Sequence, residues 1–469
     1  MVLESETICA IATAPGKGAI ATIRLSGSDS KQIIQNIFKP SKKTEQWYNI
    51  GYSLHYGSIY YNNELLDDVL VSIFNAPHSY TGEDSVEISC HGSVYIQNEI
   101  LKLLLHHGAR LAKPGEFTQR AFLNGKLDLS QAEAVADLIA STSAASHKLA
   151  LSQIKGGYAK ELQELRLALL QFLSMIELEL DFSEEEVEFA DREQLRILAN
   201  NLEHRVAKLL ESFSIGNAIK TGVPVCIVGE PNVGKSTLLN TILNEEKAIV
   251  SDIPGTTRDV IEDTMVIGGK TFRFMDTAGI RDTSNIIEQL GIDRTFAKID
   301  AASIVLFLID VTSPLNYIKK NIASIKRKIA ADKKLYIVVN KIDLITEEQL
   351  QTRFNKHNFE ELSENDDFIC ISAKHKRNID SLIQALLQEV HYGEISQDDA
   401  ILTNMRHYEA LQQAHIAITH VLQGIDTGLS NDLLSLELRQ VLHYVGLITG
   451  SIGTEEMLGY IFEHFCIGK

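Results

Sequence analysis

Eight consecutive residues, Gly229-Glu230-Pro231-Asn232-Val233-Gly234-Lys235-Ser236, follow the pattern G-x-x-x-x-G-K-[ST]. An apolar run (Val225 to Val228) precedes them, and a helical apolar pattern follows through Leu243. Strand, glycine loop and helix in that order make a phosphate cradle. Gly229 and Gly234 allow the tight turn that aims successive N–H groups at phosphate oxygens. The helix that follows points its positive end at the same anion. Lys235 reaches the outer phosphates, the Ser236 hydroxyl is placed to ligate Mg²⁺, and Thr237 continues the contact surface. The chemistry these residues serve is that of a nucleoside triphosphate.

Three further signatures each close an apolar strand. Thr271 to Met275 runs into Asp276-Thr277-Ala278-Gly279, which sets a carboxylate where it can hold a Mg²⁺ water and a glycine N–H where it can meet the γ-phosphate. Leu335 to Val339 leads into Asn340-Lys341-Ile342-Asp343. The Asp343 carboxylate can accept from both N1 and N2 of guanine, a pair adenine cannot supply. Phe368 to Ile371 ends in Ser372-Ala373-Lys374, whose backbone can donate to the guanine carbonyl. Together these motifs specify GTP.

Two details bear on hydrolysis. Ile280 stands where Ras-type switches carry a water-orienting glutamine, so another polar group must do that work. Asn232, with the loop Ser251-Asp252-Ile253-Pro254-Gly255-Thr256-Thr257, can gather oxygen ligands for a monovalent cation between the β- and γ-phosphates. Thr257 is the switch threonine for Mg²⁺.

The elements that position these loops occupy one part of the chain only. With 469 residues, the length predicts roughly three domains. Residues 1 to about 120 are mixed α/β, with strands at Ile20 to Leu25, Val69 to Phe74 and Ser85 to Cys90 and a helix at Tyr95 to Leu105. The block Lys113 to Ile139 passes from a Pro-Gly turn into helix, its charges reading as a solvated face. Leu151, Ile154, Tyr158, Leu162, Leu165, Leu169, Phe172 and Ile176 form one stripe of a long amphipathic helix, and Leu195 to Leu209 repeat it. Between them Glu184 to Glu188 reads as a solvated helix start rather than a metal site. After about residue 392 the helical period returns, with Leu434, Leu438, Val441, Val445 and Ile448 in step. Helical arms before and after the nucleotide motifs imply one helical domain interrupted by an inserted domain. The expected boundaries are 1–120, 121–216, 217–392 and 393–469.

The bulk properties exclude several classes. No run of about 18 apolar residues offers a membrane span, and the start MVLESETICA lacks a secretory leader. Five cysteines without C-x-x-C spacing fit a reducing cytosol better than a zinc or disulfide frame. A net charge of -18 repels phosphate backbones except at a local basic patch.

The full set of motifs (GEPNVGKS, GTTRD, DTAG, NKID, SAK, the block PGEFTQRAFLNGKLDLSQAEAVADLI and the terminal Cys466-Ile467-Gly468-Lys469) closely resembles the MnmE (TrmE) family. These are K⁺-activated GTPases of tRNA wobble-uridine modification, and the likeness spans essentially the whole chain. The nucleotide motifs alone specify only the translational GTPase superfamily; the front block and the C-I-G-K end narrow it. The resemblance implies an amino-terminal α/β folate-binding domain like that of aminomethyltransferases, a discontinuous helical domain and an inserted Ras-like P-loop GTPase domain. It implies K⁺ ligands from Asn232, Ser251, Ile253 and Thr256, with Ser251 standing where threonine is more usual. It assigns Glu288, on its own a surface glutamate opening a helix, the role of orienting the attacking water. Arg24, Glu87, Lys126 and Lys469 would bind 5-formyl- or methylene-tetrahydrofolate. Cys466, on its own a helix-packing thiol, would lie at or near the catalytic site; its lysine-terminated tail fits a prenylation box poorly. The implied partners are a second copy of the chain, tRNA, and the FAD-bearing flavoprotein MnmG (GidA) in a heterotetramer or larger assembly, in the cytoplasm. A GTPase switch in ribosome assembly or another RNA process, without folate chemistry, is the competing reading, and a helical scaffold with a regulatory G domain is a third.

Overall fold

The computed structural model describes residues 6–42, 46–62, 64–181, 192–245, 263–275, 299–327, 329, 333–354, 359, 362, 366–390, 400–451, 458, 461–462, 465 and 468. The chain opens with β1 (Ile8–Ile11), β2 (Ile20–Ser26), α1 (Ser30–Ile37), β3 (Phe38–Pro40), β4 (Ser53–Tyr61), β5 (Glu64–Phe74) and β6 (Ser85–His91). Then come α2 (Val94–His106), β7 (Arg110–Leu111), α3 (Glu116–Leu123), α4 (Leu129–Ala140), α5 (Ala144–Ile154), α6 (Gly157–Asp181) and α7 (Arg192–Thr221). The nucleotide motifs ride on β8 (Val223–Gly229), α8 (Lys235–Glu245), β9 (Asp263–Ile267), β10 (Lys270–Met275) and β11 (Ile304–Asp310). They continue on α9 (Leu315–Lys326), β12 (Lys334–Asn340), α10 (Glu347–Arg353), β13 (Asp367–Cys370) and α11 (Ile379–Glu389). Helices α12 (Met405–Thr427) and α13 (Asn431–Thr449) follow. Two compact units result: Met1–Ile139 with Ser152–Lys208 and Arg406–Lys469, and Ala140–Leu151 with Leu209–Met405.

In the first unit a seven-stranded sheet runs β3-β4-β5-β6-β2-β1-β7, antiparallel except where β1 meets β7. Alternation along β2 sends Ala21, Ile23 and Leu25 into the core with Ile34, Val71, Ile88, Ile100 and Leu104, so α1 and α2 cover that face. The same alternation turns Arg24 to the other face, directly across from Glu87 on β6. The helical elements of this unit bury the expected stripes: Leu162, Leu165, Leu169, Phe172 and Ile176 of α6 and Leu438, Val441, Val445 and Ile448 of α13 are fully buried.

Two expectations are corrected here. The stripe from Leu151 to Ile176 is not one helix: α5 ends at Ile154, and α6 begins at Gly157 after Gly156, whose φ of +104° breaks the period. The charges of the 113–139 block are not a solvated face either. Glu116, Arg120 and Glu133 are buried. Arg120 pairs with Glu83 at 3.0 Å and Glu116 at 3.1 Å, and donates to the Glu6 carbonyl at 2.9 Å. Glu133 of α4 binds Arg406 at 2.9 Å and lies 2.7 Å from Nε2 of the buried His407, whose Nδ1 meets the Tyr158 hydroxyl of α6 at 2.5 Å. Arg406 also donates to the Leu447 carbonyl of α13 at 2.7 Å, so one polar cluster joins four helices. Such charges are tolerated inside only when paired in this way.

The second unit is a six-stranded sheet in the order β13-β12-β11-β8-β10-β9, parallel except for β9. α8 and α11 pack one face through Leu238, Leu239, Ile242, Leu382 and Leu386; α9 packs the other through Ile318 and Ile322. Coverage on both faces explains why β8, β11 and β12 are nearly unbroken apolar runs. Among the described residues no helix is long and apolar enough to cross a membrane.

Candidate functional sites

All the nucleotide motifs that fall within the described residues sit at the carboxyl ends of the parallel strands β8, β12 and β13, at the edge of the sheet where open α/β folds bind ligands. Gly229 ends β8 beside Leu308 of β11, and a Cβ there would come within 2.5 Å of the Leu308 carbonyl. Gly234 has φ +100°, and a Cβ on it would strike the Asn340 side-chain amide. Asn232 holds φ +65°, a conformation asparagine tolerates better than most residues. Lys235 opens α8 and donates its ammonium to the carbonyls of Gly229 (2.6 Å) and Glu230 (2.8 Å). The loop thus presents a helix terminus and a retained cation, which fit a polyphosphate.

Asn340 is buried and ties three motifs together. Its Nδ2 donates to the Val233 carbonyl at 2.8 Å, while its Oδ1 accepts from the backbone N–H of Lys341 (2.8 Å) and Ala373 (3.0 Å). Thr241 of α8 donates to the Ala373 carbonyl at 2.9 Å, which adds a fourth tie. Asp343 Oδ1 accepts from the Ser372 hydroxyl at 2.5 Å, and Oδ2 lies 3.7 Å from His375 Nε2. The Ser372 bond, more than any other influence, holds this carboxyl below its ordinary range. Lys341 pairs with Asp310 at 2.6 Å. Burial pushes the Asp310 carboxyl up, but Lys341 and Thr312 outweigh it and hold it down. Of the backbone donors expected for a guanine carbonyl, Ser372 N–H already binds the Arg377 carbonyl and Ala373 N–H binds Asn340. Among the described residues, the Lys374 N–H is the donor of that run left for a ligand.

The amino-terminal sheet gathers a second set. Arg24 donates Nε to Glu87 at 2.9 Å and approaches the same carboxylate through its terminal nitrogen at 2.8 Å. Its guanidinium lies 5.4 Å from the Tyr80 ring centre and 5.7 Å from that of Phe117, within cation–π range. It also reaches the carbonyl of Gly468 at 3.5 Å, so the end of the chain returns to β2. Gly468 is needed there: with φ +95°, a Cβ would strike the Ile11 carbonyl. Lys126 donates instead to the Pro77 carbonyl at 3.1 Å, at the base of the loop that carries Tyr80, and does not touch Arg24 or Glu87.

Two family descriptions match. "GTP-binding protein TrmE N-terminus" covers residues 7–126 and "MnmE helical domain" covers residues 129–466. Curated relatives named "tRNA modification GTPase MnmE" align over the full length of both chains: 54% identical in Bacteroides fragilis, 54% in Bacteroides thetaiotaomicron and 51% in Flavobacterium johnsoniae. The chain belongs to the MnmE family.

Several site residues of this MnmE-family chain lie outside the described residues: Ser251 to Thr257, Asp276 to Gly279, Glu288, Cys466 and Lys469. Reading the motifs alone missed Asp310, the partner of Lys341; an acid closing a core strand was its only signal. Tyr80 and Phe117 were missed as well. Nothing in their spacing announces an aromatic wall beside Arg24.

Proposed function

We propose that this MnmE-family chain is a GTP hydrolase of tRNA modification. With the flavoprotein MnmG it adds a carboxymethylaminomethyl or aminomethyl-type group to C5 of wobble uridine, using a tetrahydrofolate one-carbon donor. What supports modification over a bare GTPase switch is the carboxyl-terminal tail: the Gly468 carbonyl lies beside the Arg24–Glu87 pair on the amino-terminal sheet. A paired cation and carboxylate next to two aromatic rings suit a folate, which offers a pterin edge to the acid and an anionic tail to cations.

In the nucleotide domain Asn232, Ser251, Ile253 and Thr256 would hold K⁺, and Ser236 and Thr257 would hold Mg²⁺. Bound there, the two cations supply charge neutralisation to the phosphates. Lys235, which donates to the Gly229 and Glu230 carbonyls, would reach the outer phosphates, and Glu288 would orient the attacking water. Two nucleotide domains of a homodimer meet across these faces, and hydrolysis shifts the population between facing and separated states. The working compartment is the cytoplasm.

Mass spectrometry of tRNA from a deletion strain tests the reading: wobble uridines should lose their C5 substituents, and a normal profile would reject the modification role. Turnover assays address the mechanism. Glu288→Ala should bind GTP as the parent does while kcat falls about 100-fold, since general-base and water-positioning groups typically contribute that much. Parent turnover should be faster in K⁺ than in Na⁺; equal rates would remove the cation from the mechanism.

A further inference from the structure

Glu230, the second residue of the phosphate loop, is an acid in a loop that must receive a polyanion. Its carboxylate Oε1 accepts from the Tyr317 hydroxyl and, at 3.4 Å, from the Asn321 side-chain amide. Tyr317 and Asn321 stand four residues apart on α9, hence on one helix face. That helix is firmly seated, because Ile318 and Ile322 are buried in the core on the α9 side of the sheet. The three polar residues line a cleft with Val233, Leu308 and Asp310, beside the carboxyl end of β11. The bond to Glu230 is also the largest influence holding the Tyr317 phenol above its ordinary range, so the hydroxyl stays a donor.

We infer that Tyr317 and Asn321 clamp Glu230 to α9 and thereby position the phosphate loop, which makes Tyr317 and Glu230 positioning residues for GTP turnover. The inference rests on the nucleotide reading above. The Glu230 carbonyl, with that of Gly229, accepts from the Lys235 ammonium. An ammonium carries three N–H donors, so a phosphate drawing on Lys235 competes with these two carbonyls for them. The clamp acts through the side chain of the same residue and does not draw on the Lys235 donors. It also turns the carboxylate toward α9, which lowers its repulsion of the incoming phosphates.

Steady-state GTP hydrolysis by the full chain tests this. Tyr317→Phe keeps the ring and deletes only the donor, and Glu230→Ala deletes the acceptor. Each should raise KM about 5- to 10-fold, the size expected of one ordinary hydrogen bond at a half-exposed site, with kcat changed less than about 3-fold. Glu230→Gln retains an acceptor oxygen and should lie within about 2-fold of the parent, and the double variant Tyr317→Phe/Glu230→Ala should be no worse than either single change. An unchanged KM in Tyr317→Phe would overturn the clamp, as would Glu230→Gln behaving like Glu230→Ala, which would point to charge alone. A parent that neither binds nor hydrolyses GTP would instead overturn the nucleotide reading. Thermal unfolding of each variant should match the parent, because Tyr317 is half exposed and α9 keeps its buried anchors.

Discussion

Replacing Asp343 by Asn should weaken GTP binding by at least about 100-fold and create affinity for xanthosine triphosphate, because the change reverses one half of a two-point hydrogen-bond match. The Asp343 carboxyl is held ionised, chiefly by the Ser372 hydroxyl, so both oxygens are acceptors at any working pH. Guanine presents two donors along its N1–N2 edge and meets two acceptors. Asparagine would turn an NH₂ toward one of those donors, leaving the guanine N–H and the amide both unpaired. Xanthine carries a carbonyl where guanine has its amino group, so the new NH₂ regains a partner. Competition titrations with the two nucleotides measure both limbs. Retained GTP affinity in the Asn variant would show that Asp343 does not read the base. Ser372→Ala serves as the control: it frees the carboxylate without altering its donors and acceptors toward the base, and should cost only about 1 kcal/mol, the worth of one hydrogen bond.

The nucleotide loops were legible in the sequence for a local reason. Each follows an apolar strand, and each depends on backbone geometry that nearby glycine, asparagine or serine residues impose, as Gly234 does against Asn340. The core strands of the second sheet and β2, β5 and β6 of the first were legible on the same basis, since alternation and continuous apolar runs are written within a few residues; β1, β3, β4, β7 and β9 were not read. What escaped was whatever a distant segment completes. Arg120 looks like one more charge on an exposed helix until Glu83, 37 positions away, pairs with it inside the protein. Arg24 is a routine strand-surface arginine until Gly468, 444 positions away, arrives beside it. A helical period records which face is apolar but not whether the polar face is later covered. Hence Glu116 and Glu133 were read as solvated although both are buried. The break at Gly156 was hidden because residues on either side keep three- and four-residue spacing across it.

Glu133 is the clearest case of such a covered charge, and its removal should be the most costly single change in the helical elements of the first unit. Glu133→Ala leaves the Arg406 guanidinium and the His407 imidazole without the carboxylate that faces them at 2.9 and 2.7 Å. Stranding one side of a buried pair typically costs about 3–5 kcal/mol, whereas replacing every member with apolar residues of similar volume costs far less. Because the chain holds two compact units, a single unfolding midpoint would mix their transitions; amide hydrogen exchange in α4, α6 and α12 isolates the effect. Protection there should fall by the factor that this free energy implies, and unchanged protection would mean that the cluster contributes nothing to holding these helices together. Acid supplies an independent reading. Burial is the largest influence on the Glu133 carboxyl and pushes it up, yet His407 and Arg406 together outweigh it and hold it below its ordinary value of 4.5. The ionised carboxylate therefore contributes stability in full above the unfolded value, and that contribution is lost as pH falls through the lower, folded one. The stability difference between the parent and Glu133→Gln, which keeps the shape but cannot ionise, should accordingly stay level from neutral pH down to about 4.5 and shrink below it. A difference that stayed level below about pH 4.5 would show that ionisation of Glu133 contributes nothing to holding these helices.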